Sequence, residues 1–317
     1  MLILSRNASL YSTSRVVLAA RARGHEVVVI DPLEFQIVVA RSKSMLSANG
    51  EPLPRFDVVM PRIGASVTSY GLAVVRQFAL MGIPVMNHAV SIARSRDKLR
   101  ALQLLARAGI DVPITVCARS PIGLDAALEL VGGCPAIVKL QQGTQGIGTM
   151  IAETQQSAHA MLETFWAMGQ DIVLQEYVRE SKGRDIRAIV VGGKVVAAMR
   201  RIAKKGEFRA NLHRGAAGQA IDLPPRYRTI AIRSAKLMGL EVAGVDMLES
   251  KRGPRVLEVN SSPGLEGIER STGIDVAGAI VEHAQVFGRE AKGRAKHAAR
   301  QVRGSTRTAV AAGAFDG

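Results

Sequence analysis

The chain has 317 residues, 47% of them apolar, which is enough for two or three units with cores of their own and too much for one small domain. Its 42 Lys and Arg against 27 Asp and Glu give a formal charge of +15, so acidic partners are expected, while an aromatic content of 4% argues against a stacking platform for single-stranded nucleic acid. The two cysteines, Cys117 and Cys134, cannot build a disulfide framework, and no Cys/His spacing resembles a zinc site.

The N-terminal MLILSRNASLYS turns polar after four residues, unlike the apolar core of a secretory signal. No uninterrupted apolar run reaches the about 18 residues that could span a bilayer. A cytoplasmic protein without membrane contact is expected.

In chain order, LILS (2–5), a helical SRVVLAARAR (14–23) closed by Gly24, EVVVID (26–31) and FDVVMPR (56–62) alternate strand and helix, the pattern of a small parallel α/β domain. No G-x-G-x-x-G follows the first strand, so a nicotinamide site is not expected there. A helix from Asp97 carries Leu99, Leu102 and Leu105 at helical spacing and stops at Gly109. After it come IDVPITVCA, a helix over 123–131, the strand AIVKL (136–140), a Gly-rich loop (143–148) and TMIAET. A further unit opens with DIVLQEYV (171–178) and continues through two apolar strands joined at Gly192-Gly193, a strong hairpin signal. It closes with a helix over 226–238, the strand pair VAGVDMLES and PRVLEVN, and a helix over 275–287. Beyond Gly288, seven Lys/Arg and almost no large apolar residue predict a segment that buries no core, disordered or at most a marginal helix.

The last strand pair flanks Lys251-Arg252-Gly253. A hairpin centred on Arg252 would set Asp246 opposite Glu258, with Cβ atoms about 5 Å apart. Two carboxylates so placed repel by about 4 kcal/mol at an effective dielectric near 20, a cost that a cation would remove. Glu258 and Asn260 share a face by the two-residue period, so Asp246, Glu258 and Asn260 together offer hard oxygens suited to Mg²⁺. Upstream, Lys139 ends a strand, and Gly143, Gly146 and Gly148 give a loop whose backbone N–H groups could close over phosphates; without G-K-[ST] it is not a P-loop. Taken alone, such a loop reads as a turn, and such a strand as the solvated side of a sheet.

The order of these pieces resembles the ATP-grasp ligases, and the wording ILSRN, RGHEVVVID, MPRIGASVT, IARSRDKLRALQLLARAGI, GTQGIG, QEYVRESKGRDIRA, KGEFRANLHRG and EVNSSPGLEGIE is similar to their RimK group from residue 1 to about 287. The resemblance implies an α/β ATP-grasp fold, with a small N-terminal parallel α/β domain (1–96), two α/β subdomains clasping ATP (97–174 and 175–288) and a basic tail (289–317) outside the match. It implies that Lys98 and Lys139 hold ATP phosphates beneath the Gly143/Gly146/Gly148 loop, that Glu176 and Tyr177 meet the adenine, that Asp185 binds the ribose and that Arg209 and Asn211 line the phosphate end. Asp246, Glu258 and Asn260 are then ligands of Mg²⁺ or Mn²⁺, two ions in all. Arg187 and Arg214 rank as catalytic forks for a carboxylate or oxyanion, ahead of Arg201. His213, a lone loop histidine, is left out of the catalytic set.

The activity implied is ATP-dependent amide formation through an acyl phosphate, adding L-glutamate to the C-terminus of a small-subunit ribosomal protein, by an enzyme that assembles as a dimer or tetramer. Two alternatives stand beside it. One is a ligase for a small molecule or free peptide, including glutamate polymerisation; the other is an ATP-switched protein that contacts RNA or the ribosome through its basic tail. Gln142, where the group commonly has an acid, and Ala216, where it has glycine, depart from the pattern and make the acceptor less secure than the reaction.

Overall fold

The computed structural model describes residues 1–41, 45–118, 123–140, 148–212 and 215–312, excepting the side chains at 65 and beyond 294. It divides into two units, Met1–Met86 with Ala277–Gly317, and Asn87–Val276. The end of the chain thus belongs with its beginning, which a division into consecutive blocks does not contain.

In the first unit, β1 (Leu2–Leu4), α1 (Tyr11–Ala22) and β2 (Val28–Ile30) make a β-α-β crossover. A small antiparallel meander follows, β3 (Phe35–Val38), β4 (Met45–Ala48) and β5 (Glu51–Pro52), and then β6 (Val59–Pro61) and α2 (Thr68–Leu80). The parallel sheet runs β2-β1-β6, as the short apolar runs predict, and β1 is buried along its whole length. The meander was not foreseen; its strands are short and broken by polar residues.

The second unit begins with α3 (Ala89–Arg96) and α4 (Lys98–Arg107). The carboxylate of Asp97 caps α4 by accepting from Arg100 N at 3.0 Å, which fixes Lys98 as the first helical residue. Next come β7 (Thr115–Ala118), α5 (Leu124–Leu130), β8 (Ala136–Leu140), β9 (Thr149–Ala152), α6 (Gln155–Ala167) and β10 (Ile172–Glu176). These strands form an antiparallel sheet in the order β7-β10-β8-β9, and α5 and α6 bury Leu124, Leu128, Ala158 and Leu162 in its core.

A five-stranded antiparallel sheet completes the unit. Its strands are β11 (Arg184–Val191), β12 (Lys194–Ile202), β13 (Ala217–Ala220), β14 (Val242–Ser250) and β15 (Gly253–Asn260), in the order β13-β12-β11-β14-β15. Gly192 and Gly193, at φ 56° and 74°, form the two-residue turn from β11 to β12; positive φ at both positions is what such a turn requires. One face of this sheet packs on α4 and on α7 (Pro225–Met238), burying Leu105, Ala231, Ala235 and Met238 against Ile186, Val245, Met247, Val256 and Val259. α8 (Glu266–Thr272) follows.

The last helix, α9, runs from Val276 to Ala312, with Val276, Ala277, Ile280, Val281 and Ala284 buried. The sequence reading ended this helix near 287 and treated the rest as disordered or marginal. The structure continues it for about seven more turns, because the Ala, Arg, Lys and Gln of the tail are strong helix formers and no proline interrupts them.

Candidate active site

The five-stranded sheet buries one face, so its chemistry stands on the other. Cross-strand partners share a face, and the register pairs Asp185 with Arg201, Arg187 with Asp246, and Asp246 with Glu258. The Asp246–Glu258 pairing arises differently from the expectation. The turn is Lys251-Arg252, with Ser250 opposite Gly253, so it is not centred on Arg252. A bulge then places an extra residue, Leu257, between the pairs Met247–Val256 and Asp246–Glu258. In an unbroken strand Val256 and Glu258 would share a face, and Glu258 would enter the core. With the bulge, Val256 and Val259 both reach the core while Glu258 and Asn260 turn to the polar face.

On that face four side chains form a buried ionic network. Arg187 grips Asp246 with two bonds, Nε to Oδ1 at 2.7 Å and Nη2 to Oδ2 at 2.6 Å. Arg201 grips Asp185 the same way, at 2.6 and 2.7 Å, and also donates from Nη2 to Asp246 Oδ2 at 2.8 Å. Arg201 is 3% exposed and Asp246 1%. Burial alone would raise the Asp246 carboxyl, but Arg187 and Arg201 hold it well below the usual carboxylate range. For Asp185 burial prevails over Arg201 and pushes the carboxyl up to about 6. Burial would lower the Arg201 guanidinium, yet the two aspartates keep it above its ordinary value.

This network bears on three expectations. Asp185, expected at the ribose, is buried with both oxygens engaged by Arg201. Arg201, ranked last among the arginines, is the one tied to two carboxylates. Arg187, expected as a catalytic fork, commits Nε and Nη2 to Asp246, and Nη1 stands outside that pair.

Both phosphate-binding candidates converge on the same cluster. Lys139 on β8 donates from Nζ to Gln175 Oε1 at 2.7 Å, and Gln175 in turn donates to Thr115 Oγ1 at 2.8 Å. Burial lowers Lys139 to about 8, against the pull of Glu258 and with the push of Lys98. Lys98 is also lowered by burial and raised by Glu258. The Glu258 carboxylate on the bulged strand thus acts electrostatically on both the first residue of α4 and the lysine near the end of β8. Lys139 pairs with Thr149 at the base of the Gly-rich loop, and Gly148 closes that loop at φ 76°, where a Cβ would come within 2.9 Å of the Leu140 side chain. Gly143, Gly146 and Arg214 lie outside the described residues.

At the end of β10, Glu176 Oε2 accepts from Ile114 N at 3.1 Å and stands 2.5 Å from Arg255 Nη1 on β15. The carboxylate implied as an adenine contact is therefore partly engaged, and it ties the end of β10 to the strand that carries Glu258. Tyr177, half-buried, follows it. Arg209 is held by Glu207 through bonds of 2.9 and 2.8 Å and donates from Nη1 to Thr149 O at 3.4 Å, beside the loop; Asn211 is half-buried two residues on. The Arg209 guanidinium and two backbone amides lower Glu207 to about 2.

A divalent cation fits this oxygen set. Asp246 and Glu258 stand directly opposite each other on β14 and β15, and Arg187 and Arg201 already offset part of the charge of Asp246, so a cation bound here would share that carboxylate with them. Asn260 donates from Nδ2 to Glu258 Oε1 at 3.1 Å, which leaves its own Oδ1 as an acceptor. Among the described residues no group of three or more His, Cys, Asp and Glu gathers as a metal site, so a third oxygen would have to come from this amide. Two carboxylates and an amide suit Mg²⁺ rather than zinc or copper.

Sequence reasoning missed Gln175, Glu207, Arg255 and Asn87. Buried Asn87 accepts from Glu241 N and Val242 N and donates to Val242 O and Ser261 O, pinning the start of β14 beside the end of β15. A buried amide making four backbone bonds leaves no spacing signal in a sequence.

Comparison with known proteins gives the same outline. A model described as RimK PreATP-grasp domain matches residues 1–92, and one described as RimK-like ATP-grasp domain matches 95–284. A protein of Azotobacter vinelandii named probable alpha-L-glutamate ligase is 56% identical over 281 residues, 89% of this chain and 93% of its own length. One of Pseudomonas aeruginosa with the same name is 54% identical over 286 residues, 90% of this chain and 95% of its own. Among solved structures, the ATP-grasp ligase PsnB complexed with minimal precursor superposes with a TM-score of 0.73 at 23% identity, covering 90% of this chain and 98% of PsnB. D-alanine–D-alanine ligase of Bacillus anthracis complexed with ATP gives 0.65 at 19%, covering 91% and 97%. At those identities the structures speak for the fold.

Proposed function

The chain belongs to the RimK-like ATP-grasp family, and from that premise we propose that this ATP-dependent carboxylate–amine ligase is an α-L-glutamate ligase whose acceptor is the C-terminus of a small-subunit ribosomal protein. The observation that carries the reading is that Glu258, opposite Asp246 and bonded by Asn260, acts electrostatically on both Lys98 and Lys139, two cations for phosphate near a ligand set for a divalent ion. The name shared by the relatives supports glutamate as the amine. The net charge of +15 suits substrates that are all anionic: ATP, glutamate and a growing acidic tail.

In this reading, Lys139 and Lys98 grip the phosphates of ATP and offset the charge that gathers as the acceptor carboxylate oxygen attacks the γ-phosphorus. The bond from that phosphorus to the β-phosphate oxygen breaks, and ADP leaves an acyl phosphate. The neutral α-amine of glutamate then attacks the acyl carbon, the carbon–oxygen bond to phosphate breaks, the amine proton passes to the departing phosphate, and the amide forms. Arg187, through its remaining Nη1, and Arg214 would receive the oxyanion of that second step. Asp246, Glu258 and Asn260 would hold Mg²⁺ or Mn²⁺, two ions in all, which would supply positive charge to the phosphates. The loop of Gly143, Gly146 and Gly148 would close over the site and exclude water, which otherwise hydrolyses an acyl phosphate. Glu176 and Tyr177 would meet the adenine; Arg209 and Asn211 would line the phosphate end.

The same reading includes a cytoplasmic homo-oligomer, dimer or tetramer, which light scattering can measure. Among the described residues no helix is long and apolar enough to cross a membrane. Incubation with ATP, Mg²⁺, glutamate and intact ribosomal subunits, followed by mass spectrometry of the proteins, tests the acceptor. A gain of whole glutamyl units on one small-subunit protein, removed by C-terminal proteolysis, is expected. Gain only on free peptides, small carboxylates or glutamate itself would replace the ribosomal acceptor with the small-molecule alternative.

A further inference from the structure

The family match ends at residue 284, while α9 runs on to Ala312. The segment 289–317 holds seven Lys and Arg against two acids, Glu290 and Asp316. Six of the seven cations stand at 289, 292, 296, 300, 303 and 307, in steps of 3, 4, 4, 3 and 4 residues. At 100° per residue these positions fall within an arc of about 80°, and at 1.5 Å per residue the row is about 27 Å long. The seventh, Arg294, lies off the arc and is 3.6 Å from Glu290. Lys292, within the row, pairs with Asp57 of the first unit, so the row starts at a fixed point.

The remainder of the helix narrows the choice of partner. The buried residues Val276, Ala277, Ile280, Val281 and Ala284 define a second arc, centred about 130° from the basic one. Positions 291, 295, 298 and 302, three alanines and a valine, continue that second arc. Between Gly288 and Ala312 there is no Leu, Ile, Met, Phe or Trp, the residues an amphipathic helix inserts into lipid. A membrane surface is therefore disfavoured. Four of the six cations are arginines, whose planar forks match phosphate oxygens. A straight row of this length suits a regular polyanion rather than a point ligand.

We propose that the arc of Arg289, Lys292, Lys296, Arg300, Arg303 and Arg307 is a docking surface for the phosphodiester backbone of duplex RNA, separate from the ligase site. The choice of RNA rests on the ribosomal acceptor proposed above, but the binding itself requires no ligation, so the two fail independently.

The test uses the full chain and a fluorescently labelled RNA duplex of 20 base pairs, with anisotropy read across a potassium chloride series. Five or six neutralised phosphates predict a slope of log affinity on log salt of about −4.5 to −5.5. The informative variant keeps composition and charge but moves two cations off the arc: Arg300→Ala with Ala298→Arg, and Arg303→Val with Val302→Arg. It should bind RNA at least tenfold more weakly, with a slope nearer −3, and retain wild-type ligase turnover, which shows that the enzyme is folded. Undiminished RNA affinity in this variant would overturn the proposal, as would tighter binding of the wild type to oligoglutamate or to phosphatidylserine vesicles than to RNA.

Discussion

At the scale of single residues, the site depends on charges that the protein itself balances. Glu258 is half-buried, faces two lysines and belongs to no hydrophobic cluster, so Glu258→Gln should leave the melting temperature almost unchanged. Turnover should fall at least a hundredfold, a barrier increase of about 2.7 kcal/mol. Arg201 is the contrary case. Arg201→Met leaves Asp185 and part of Asp246 as buried charges without their partner, at a cost of about 3–5 kcal/mol that thermal or urea unfolding will measure. Lys139 stands out in the sequence as a lysine at a strand end, whereas Lys98 enters only through the family resemblance. The rank of Arg201 could not be read from the sequence, because its burial depends on residues 16 and 45 positions away.

Lys139 gives a pH prediction. Burial sets it near 8, whereas an exposed lysine titrates near 10.4. Between these values the unfolded chain holds a proton that the folded chain lacks, so this residue makes stability rise with pH across that window. Bound phosphates favour the ammonium and reverse the shift. ATP binding at pH 8.5–9 should therefore take up as much as one proton, seen as a binding enthalpy that depends on the ionisation heat of the buffer. Lys139→Met should remove that dependence; a wild type without it would mean that Lys139 does not meet the phosphates.

At the scale of elements, the bulge at Leu257 shows how a correct pairing can be reached on an incomplete premise. Equal spacing about Arg252 led to Asp246 opposite Glu258, but the turn lies between Lys251 and Arg252, and one extra residue restores the pairing. Bulges escape periodicity arguments because each shifts the alternation by one, as Val256 and Val259 on the same core show. The β8–β9 hairpin was legible from its glycines, and it allows a sharper prediction. Gly148→Ala forces an alanine to φ 76° against Leu140 and should cost about 1–3 kcal/mol in local stability. Its clearest readout is faster hydrogen exchange in β8 and β9, with a raised KM for ATP and little change at the five-stranded sheet.

At the scale of the whole molecule, the charge of +15 and the order of the motifs were plain in the sequence, and so was the α/β ATP-grasp fold. The return of α9 to the first unit was not, because it depends on a long-range docking of Val281 and Ala284 that helix periodicity leaves without a partner. The charge makes steering testable. kcat/KM for ATP should fall as salt rises from about 50 to 300 mM while kcat stays nearly level, since steering acts on encounter rather than on chemistry.

The central claim is that the Asp246/Glu258/Asn260 hairpin and Lys98 with Lys139 make one site for glutamate ligation. It is tested most directly by glutamate-dependent ADP release measured side by side for the wild type and Glu258→Gln, both shown folded by their melting curves. The account predicts steady release that requires glutamate, an acceptor carboxylate and Mg²⁺ in the wild type, and almost none in the variant. Equal release by the two proteins, or wild-type release indifferent to glutamate, would contradict it.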